Sequence, residues 1–350
     1  MMRHPEVAEQ LPGNSYLRRK MMQLIEYYGE LGFQAKSGDL RHNYSLFNLL
    51  QGAPAGQKTL AFVAEFSRGK TELINSLCFA DTGLRLLPSA PGRTTMSPTE
   101  LIWDKNGGSY IRLLDIETQL DYSSLADYKL QPKCWTQINL NCNSPSQMQE
   151  AFKSLIATKM VSKDKAYKLG LWNGRESPEQ KNNRQEYIKI PCWRHALISL
   201  PHPLLQKGVC ILDTPGLNAL GCELELTLNI LPVAQTIIFV LAADTGVTKT
   251  DLETWNSYVC SSQGRPRQNV AVVLNKIDLM WDDLADAQNP EIAIQNQIDK
   301  TASILNIARN QVFAVSAKQG LLAKVKNDSK LLERSGLKKL ENFISKQMLN

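Results

Sequence analysis

The stretch Ala64-Glu-Phe-Ser-Arg-Gly-Lys-Thr71 decides the fold, because it follows the pattern GxxxxGK(S/T) at every position except the first. An apolar run at residues 59–63 precedes it, and Leu73, Ile74 and Leu77 follow it at helical spacing. A strand, a tight loop and a helix in this order surround a phosphate with backbone N–H groups and the positive end of a helix dipole. Residues 64–71, the phosphate loop, therefore predict an α/β protein that binds a nucleotide.

The side chains of the phosphate loop have the chemistry that a nucleoside triphosphate requires. Gly69 lets the backbone turn without a Cβ clash, Lys70 is expected to bridge the β- and γ-phosphates, and the Thr71 hydroxyl is expected to bind Mg²⁺. Ala64 stands where the pattern has its first glycine, which predicts a tighter or slightly shifted loop because a Cβ restricts φ. The expected nucleotide contacts in this loop are Glu65, Phe66, Ser67, Arg68, Gly69, Lys70 and Thr71.

The composition is that of a soluble globular protein: 350 residues, 43% apolar and 21% charged, enough for two or three domain-sized units. The amino terminus has no apolar signal region, and the longest apolar run, residues 236–243, is too short to cross a bilayer, so we expect a cytoplasmic protein. Seven scattered cysteines without a CxxC pair argue against zinc and against disulfides. The net charge of +6 is too small to indicate nucleic-acid binding.

A loop that could close over the metal follows the phosphate-loop helix. Residues 83–99 are rich in Pro, Gly and hydroxyl side chains and have no periodicity. Nucleotide switches place a threonine in such a loop to contact Mg²⁺ and the γ-phosphate. Thr94 and Thr95 are the candidates, and Thr95 is favoured. Strands are expected next, at residues 99–103 and 110–114.

An apolar strand at residues 208–212 runs directly into Asp213-Thr-Pro-Gly216. This DxxG pattern places a carboxylate beside the metal, where Asp213 would hold Mg²⁺ through a water and the Gly216 N–H would bond the γ-phosphate. Leu217 occupies the position where Ras-like GTPases have the glutamine that orients the attacking water. Leucine cannot orient water, so hydrolysis would need another group.

The identity of the base is predicted by Asn275-Lys-Ile-Asp278, which follows a buried strand at residues 269–274. The Asp278 carboxylate can accept from both N1–H and the exocyclic amine of guanine, whereas adenine has no such pair of donors. We expect Asn275 to tie this loop to the phosphate loop and the Lys276 stem to cover the base. The ligand is therefore predicted to be GTP or GDP.

A second short loop is expected to complete the base site. A strand at residues 311–315 leads into Ser316-Ala-Lys318, and the main-chain N–H of Ala317 is expected to face the base. A last helix at residues 336–349 presents Leu337, Leu340, Ile344 and Met348 on its apolar side.

Two regions carry no motif. Residues 16–33 form an amphipathic pattern that predicts a helix, followed by a second helical stretch at 43–50. The first helix either packs on the main domain or needs a partner helix from beyond it. Residues 117–185 are interpreted as an insertion between sheet strands, in which Lys163, Lys165 and Lys168 form a solvated face, and a strand pair is expected at 185–190 and 196–200.

Five elements in this order, each at the end of a predicted strand, indicate a GTPase on a doubly wound, mostly parallel sheet with helices on both faces. The stretch from Ala64 to Leu77 closely resembles the GEFSxGKSxLINAL loop of bacterial dynamin-like proteins. Thr95-Met-Ser-Pro98 looks like the dynamin switch loop, and Asp213-Thr-Pro-Gly-Leu217 is shared as well. The long separation between Lys70 and Asp213 is also dynamin-like.

The resemblance implies a neck-like helical segment at 1–54 and a dynamin-type GTPase domain at 55–348. It implies hydrolysis in a nucleotide-dependent homodimer, with Ser67 and a monovalent cation, Na⁺ or K⁺, supplying charge at the phosphates. Arg68 or Arg93 is an alternative source of that charge. The expected catalytic residues are Ser67, Arg68, Lys70, Thr95 and Gly216, with Thr71, Thr95 and Asp213 at the metal.

Three functions remain open at this point. The first is a GTP-hydrolysing enzyme that works on membrane lipids, at which it would be peripheral, or on a protein partner. The second is a slow regulatory switch that recruits a protein, and the third is a nucleotide-binding scaffold without turnover.

Overall fold

The computed structural model describes residues 57–88, 97–121, 123, 125–172, 186–214, 234–260, 269–281 and 290–349. Within them the strands are β1 Lys58–Ala64, β2 Thr99–Ile102, β3 Tyr110–Asp115, β4 Trp135–Asn139, β5 Thr158–Ser162, β6 Tyr187–Pro191, β7 Trp193–Ser199, β8 Val209–Asp213, β9 Thr236–Ala242, β10 Val270–Asn275 and β11 Val312–Ala314. The α-helices are α1 Lys70–Cys78, α2 Leu125–Lys129, α3 Pro145–Lys153, α4 Lys163–Lys168, α5 Pro203–Gln206, α6 Lys249–Thr254, α7 Pro290–Leu305, α8 Ala317–Lys326, α9 Ser329–Arg334 and α10 Leu337–Leu349. Residues 123–132, which contain α2, belong to a separate compact unit.

Nine of the described strands form one sheet in the order β11-β10-β9-β1-β8-β2-β7-β3-β4. The first five strands in that order run parallel to one another, and β2 also runs parallel to β7. Antiparallel pairing occurs where β2 meets β8 and where β3 meets β7 and β4. The predicted mostly parallel α/β sheet is confirmed, and the expected strands at 99–103 and 110–114 are present.

Helices cover both faces of the sheet, as the sequence of β1 shows. Leu60, Phe62 and Ala64 pack in one hydrophobic cluster with residues of α1, α3, α8 and α10. Ala61 and Val63 pack in a second cluster with residues of α7 and of the π-helical turn after α6. All five side chains are fully buried, because alternate residues of a strand point to opposite faces and each face is covered. The doubly wound arrangement is thereby confirmed.

The segment 117–185 adds a strand to the main sheet. β4 pairs antiparallel with β3 at its edge, while β5 pairs with β6 in a separate two-stranded sheet. The predicted pairing of strands 185–190 and 196–200 is wrong, because β6 pairs with β5 and β7 lies between β2 and β3. Lys165 and Lys168 form exposed ion pairs with Glu117 and Asp164, as expected of a solvated face. The domain boundaries at 54 and 117–185 stay predictions.

The carboxyl-terminal helix α10 buries the four side chains that its sequence pattern indicated. Leu337, Leu340, Ile344 and Met348 lie in the cluster that also contains Leu73 and Ile74 of α1, so α10 supports the face of the sheet beneath the phosphate-loop helix. In the described part of the chain, no helix combines the length and the apolar character needed to cross a membrane. The predicted helices at 16–33 and 43–50 lie outside the described residues.

Replacement of Ile344 by Ala should lower the free energy of unfolding by about 2–5 kcal/mol, because it removes a fully buried side chain and leaves a cavity. Lys346→Ala on the exposed side of α10 is the matched control, with an expected change of about 0.5 kcal/mol or less. Denaturant unfolding monitored by tryptophan fluorescence measures both. Equal stability of the two variants would contradict the packing described for α10.

Candidate nucleotide-binding site

The candidate site lies at the carboxyl edge of the parallel part of the sheet. Strands β11, β10, β9, β1 and β8 are neighbours and parallel, so the loops that follow them meet at one edge. These loops are the phosphate loop after β1, Asp213 at the end of β8, residues 275–278 at the end of β10 and residues 316–318 after β11. Thr94, Thr95, Gly216 and Arg93 lie outside the described residues.

The phosphate loop turns through two residues with left-handed backbone. Ser67 has a φ of 64° and Gly69 a φ of 81°. A Cβ on Gly69 would lie 2.4 Å from Asn275 Nδ2, so glycine is required both by conformation and by close approach. Ala64 is the last residue of β1, fully buried and outside the left-handed region. Ala64 therefore gives no reason for the phosphate loop to be tighter, because a residue with extended backbone accommodates a Cβ.

The 275–278 loop holds three consecutive carbonyls of the phosphate loop. Lys276 Nζ donates to Ser67 O at 2.7 Å, and Asn275 Nδ2 donates to Arg68 O at 3.1 Å and to Gly69 O at 3.2 Å. In a trans peptide the N–H points opposite to the C=O. Because these carbonyls face the 275–278 loop, the N–H groups of the same peptides point away from it, which is the orientation that an anion-binding turn requires.

The 316–318 loop is bound to the same residues. Ser316 Oγ donates to Asp278 Oδ1 at 2.6 Å, and the Ala317 N–H donates to Asn275 Oδ1 at 3.0 Å. The Ala317 N–H, expected from the sequence to face a base, is thus part of the link between the loops. Lys318 is exposed at the start of α8. A carboxylate has about four acceptor sites, so one bond from Ser316 orients Asp278 and leaves it capacity to accept from a ligand.

A buried pair of opposite charges lies at the base of the phosphate loop. Lys70 Nζ is 3.5 Å from Asp213 Oδ1 and 3.3 Å from Thr214 Oγ1, and Thr214 Oγ1 donates to Phe62 O at 2.8 Å. Asp213 is 1% exposed, and neither of its oxygens has a well-formed hydrogen bond from the described residues. Burial raises the pKa of the Asp213 carboxyl, while Lys70 and the Thr71 hydroxyl act to lower that pKa.

Helix α6 contributes contacts that sequence reasoning missed. Arg68 forms a two-point ion pair with Asp251, and Thr254 Oγ1 donates to Glu65 Oε1 at 2.8 Å. Thr248 and Asp251 form a capping box, a pattern that the sequence reveals as a helix start. A capping box does not indicate that Asp251 pairs with Arg68, because the pattern concerns only the first turn of the helix itself.

The loops at this edge have the geometry of the P-loop GTPase class. The sequence profile of the dynamin family matches residues 60–277, more than half of the chain, and the chain therefore belongs to the dynamin family of GTPases.

Several curated proteins resemble parts of this chain. A probable transmembrane FZO-like GTPase of Arabidopsis thaliana chloroplasts is 32% identical over 131 residues, which is 37% of this chain and 13% of that protein. A bacterial dynamin-like protein of Nostoc punctiforme is 28% identical over 184 residues, 48% of this chain and 26% of its own length. The isoniazid-induced protein IniA of Mycobacterium tuberculosis is 30% identical over 161 residues, 44% of this chain and 22% of its own. The matches thus span about a quarter or less of each relative.

Among solved structures, one member of an oligomerised bacterial dynamin pair matches 97% of this chain and 44% of its own, with a TM-score of 0.47 and 17% identity.

Replacement of Asn275 by Ala should weaken GDP binding about a hundredfold, because it removes three hydrogen bonds between the loops at about 1 kcal/mol each. Titration with a fluorescent GDP analogue measures the loss. Asn342→Ala, an exposed position on α10, is the control and should bind as the wild type does. Unchanged GDP affinity in Asn275→Ala would show that the link between the loops does not shape the phosphate site.

Proposed function

We propose that this chain binds GTP with Mg²⁺ and hydrolyses it to GDP and phosphate. The observation that carries the proposal is the direct bonding of the 275–278 loop to the phosphate loop through Asn275 and Lys276. Elements for the base and for the phosphates are thereby held as one rigid unit, although about 200 residues separate them in sequence. Such preorganisation reduces the conformational entropy lost on binding.

The phosphates of the nucleotide would lie in the concave turn of the phosphate loop. The N–H groups of that turn point away from the 275–278 loop, and α1 begins at Lys70 with its positive dipole end toward the same place. Lys70 is buried and lies close to Asp213, so a phosphate that enters would share the lysine charge with this carboxylate. In this proposal Glu65 through Thr71 contact the phosphates through their main chain.

The residues at the end of β8 fit a magnesium ion. Asp213 offers a buried carboxylate whose oxygens lack well-formed hydrogen bonds from the described residues, and the Thr71 hydroxyl lies beside it. Hard oxygen ligands of this kind are those that Mg²⁺ prefers, and the ion keeps several waters. When bound, Mg²⁺ would neutralise phosphate charge, and it would be held by the Thr71 hydroxyl and, through a water, by Asp213. Thr95 remains a predicted further ligand.

The base site would select guanine through Asp278. Ser316 orients this carboxylate from the side of α8, and the Lys276 stem crosses from the same loop to the phosphate loop. A guanine that pairs with Asp278 through N1–H and its amine would lie beside that stem. Ser316, Ala317 and Lys318 would form the wall behind the base, with Ala317 acting through its bond to Asn275.

We extend the proposal to hydrolysis in a nucleotide-dependent dimer of GTPase domains. Family membership supports it, and so does the exposure of Phe66 and Ser67 at the tip of the phosphate loop, where a second domain could reach. Ser67 with a Na⁺ or K⁺ ion, Lys70 and Gly216 would be the groups that act on the γ-phosphate. Work on a membrane or on a protein partner belongs to the same proposal, supported only by relatives such as the probable transmembrane GTPase.

Replacement of Asp278 by Asn should weaken GTP binding about a hundredfold, because an amide donor would face the donors of guanine in place of a charged acceptor. The Asn oxygen can still accept from Ser316, so the loop is retained. The variant should gain affinity for xanthosine triphosphate, whose base presents a carbonyl at that place. Asp299→Asn, an exposed residue of α7, is the control. Competition titrations with GTP, ATP and xanthosine triphosphate measure the preference, and wild-type protein that takes ATP as well as GTP would overturn the proposed base site.

Phosphate release by the wild-type chain should rise more than linearly with protein concentration, because a dimer completes the proposed catalytic site. The assay is run with GTP and Mg²⁺ in K⁺ or Na⁺, with and without anionic vesicles. Slow turnover that is linear in concentration would favour a regulatory switch, and tight GTP binding without release would favour a scaffold. Stimulation by vesicles would support peripheral work on a membrane.

A further inference from the structure

The tip of the phosphate loop is attached to helix α6 from both sides. Glu65 precedes the tip and accepts from Thr254 Oγ1, while Arg68 follows the tip and pairs with Asp251. Phe66 and Ser67 lie between these two anchors and are exposed. The contacts of Glu65 and Arg68 with α6 are here named the α6 clasp. They are side-chain contacts, separate from the carbonyl bonds made by the 275–278 loop.

All three guanidinium nitrogens of Arg68 form hydrogen bonds in or beside the clasp. Its Nε donates to Asp251 Oδ1 at 3.2 Å and one terminal nitrogen donates to Asp251 Oδ2 at 2.8 Å. That nitrogen also contacts Thr248 Oγ1 at 3.2 Å, and the other terminal nitrogen donates to Thr245 Oγ1 at 3.0 Å. Paired bonds between a guanidinium and a carboxylate fix both position and orientation. Arg68 therefore has a defined place against α6.

The anchor itself is rigid, because Asp251 is built into the start of α6. Its Oδ2 accepts from the Thr248 N–H at 3.0 Å and from Thr248 Oγ1 at 2.7 Å, and its own N–H donates to Thr248 Oγ1 at 3.2 Å. Asp251 is completely buried and the Arg68 side chain is 13% exposed. If Arg68 turned toward a phosphate, a buried carboxylate would lose its charge partner, a strongly unfavourable change.

We propose that Arg68 is a positioning residue: the α6 clasp holds Ser67 in its left-handed conformation, and the Arg68 charge does not serve the transition state. A residue with a side chain adopts a positive φ only when its surroundings enforce it. The positive φ of Ser67 is held by the hydrogen bond from Lys276 to the Ser67 carbonyl and by the clasp on either side of the tip. This inference rests on the proposed function. It assigns Arg68 the role of supporting Ser67 in place of the role of a catalytic charge.

The decisive comparison is between Arg68→Ala and Asp251→Asn in the full chain. If Arg68 positions the loop, either change breaks the same pair, and both variants should bind a fluorescent GDP analogue about tenfold more weakly than wild type. The double variant should be no weaker than either single variant, since the two residues act as a unit. Arg68→Lys, which keeps the charge and one bond, should lie between wild type and Arg68→Ala.

A transition-state role for Arg68 gives the opposite pattern and would overturn the proposal. Arg68→Ala would then lose about 10³-fold in kcat with unchanged GDP affinity, because GDP lacks the reacting phosphate. Asp251→Asn would keep wild-type kcat, because the Arg68 guanidinium would still be present and would be free to reach the reacting phosphate. Arg309→Ala removes an exposed ion pair with Asp299 of α7, far along the chain from Arg68, and should match wild type in every measurement.

Hydrogen exchange of the ligand-free chain tests the clasp without reference to nucleotide. Exchange of a peptide covering residues 64–71 should be faster in Arg68→Ala and Asp251→Asn than in wild type and in Arg309→Ala. If Asp251→Asn fails to fold, Thr254→Val takes its place, because it removes the Glu65 anchor and leaves the helix start intact. Unchanged exchange in the folded variants would overturn the proposal, whereas a wild type that binds no guanine nucleotide would overturn the proposed function alone.

Discussion

The hydrogen bonds from Asn275 and Lys276 to the carbonyls of Ser67, Arg68 and Gly69 are the interaction on which the candidate site depends. They fix the direction of three successive peptides, and so the direction in which the N–H groups of the phosphate loop point. They also join the end of β1 to the end of β10, across β9. These few bonds join the two loops to which we assign the phosphates and the base.

The parallel sheet makes this junction possible. In a parallel sheet the carboxyl ends of all strands lie at the same edge. A right-handed crossover connection returns the chain to the opposite edge before the next strand begins. Residues far apart in sequence therefore meet at one edge with their loops adjacent. The cost is that backbone and charged groups at this edge are partly withdrawn from water. Lys70 and Asp213 show that cost, because burial raises the pKa of Asp213 and its oxygens lack well-formed bonds from the described residues.

Two separate supports hold the phosphate loop, and they act on different parts of it. The 275–278 loop holds the main chain at residues 67–69, while α6 holds the side chains of Glu65 and Arg68. Between them Ser67 retains a backbone conformation that a residue with a Cβ rarely adopts. Strain held at a loop tip by its neighbours is common where a site must be ready before its ligand arrives.

Residue patterns along the chain were enough to predict the class of fold, the family and the four loops that meet at the sheet edge. Each is carried by residues close together in the chain: an apolar strand, then a short polar pattern whose spacing matches one chemical task. The apolar face of α10 was readable for the same reason. The partners of individual side chains became visible only in the folded chain. Arg68 reaches Asp251, the Ala317 N–H meets Asn275, Thr214 lies between Lys70 and Phe62, and β6 pairs with β5. These contacts join residues that are distant in the chain, and local periodicity and propensity hold no information about which distant groups the packing of strands and helices will bring within hydrogen-bond distance.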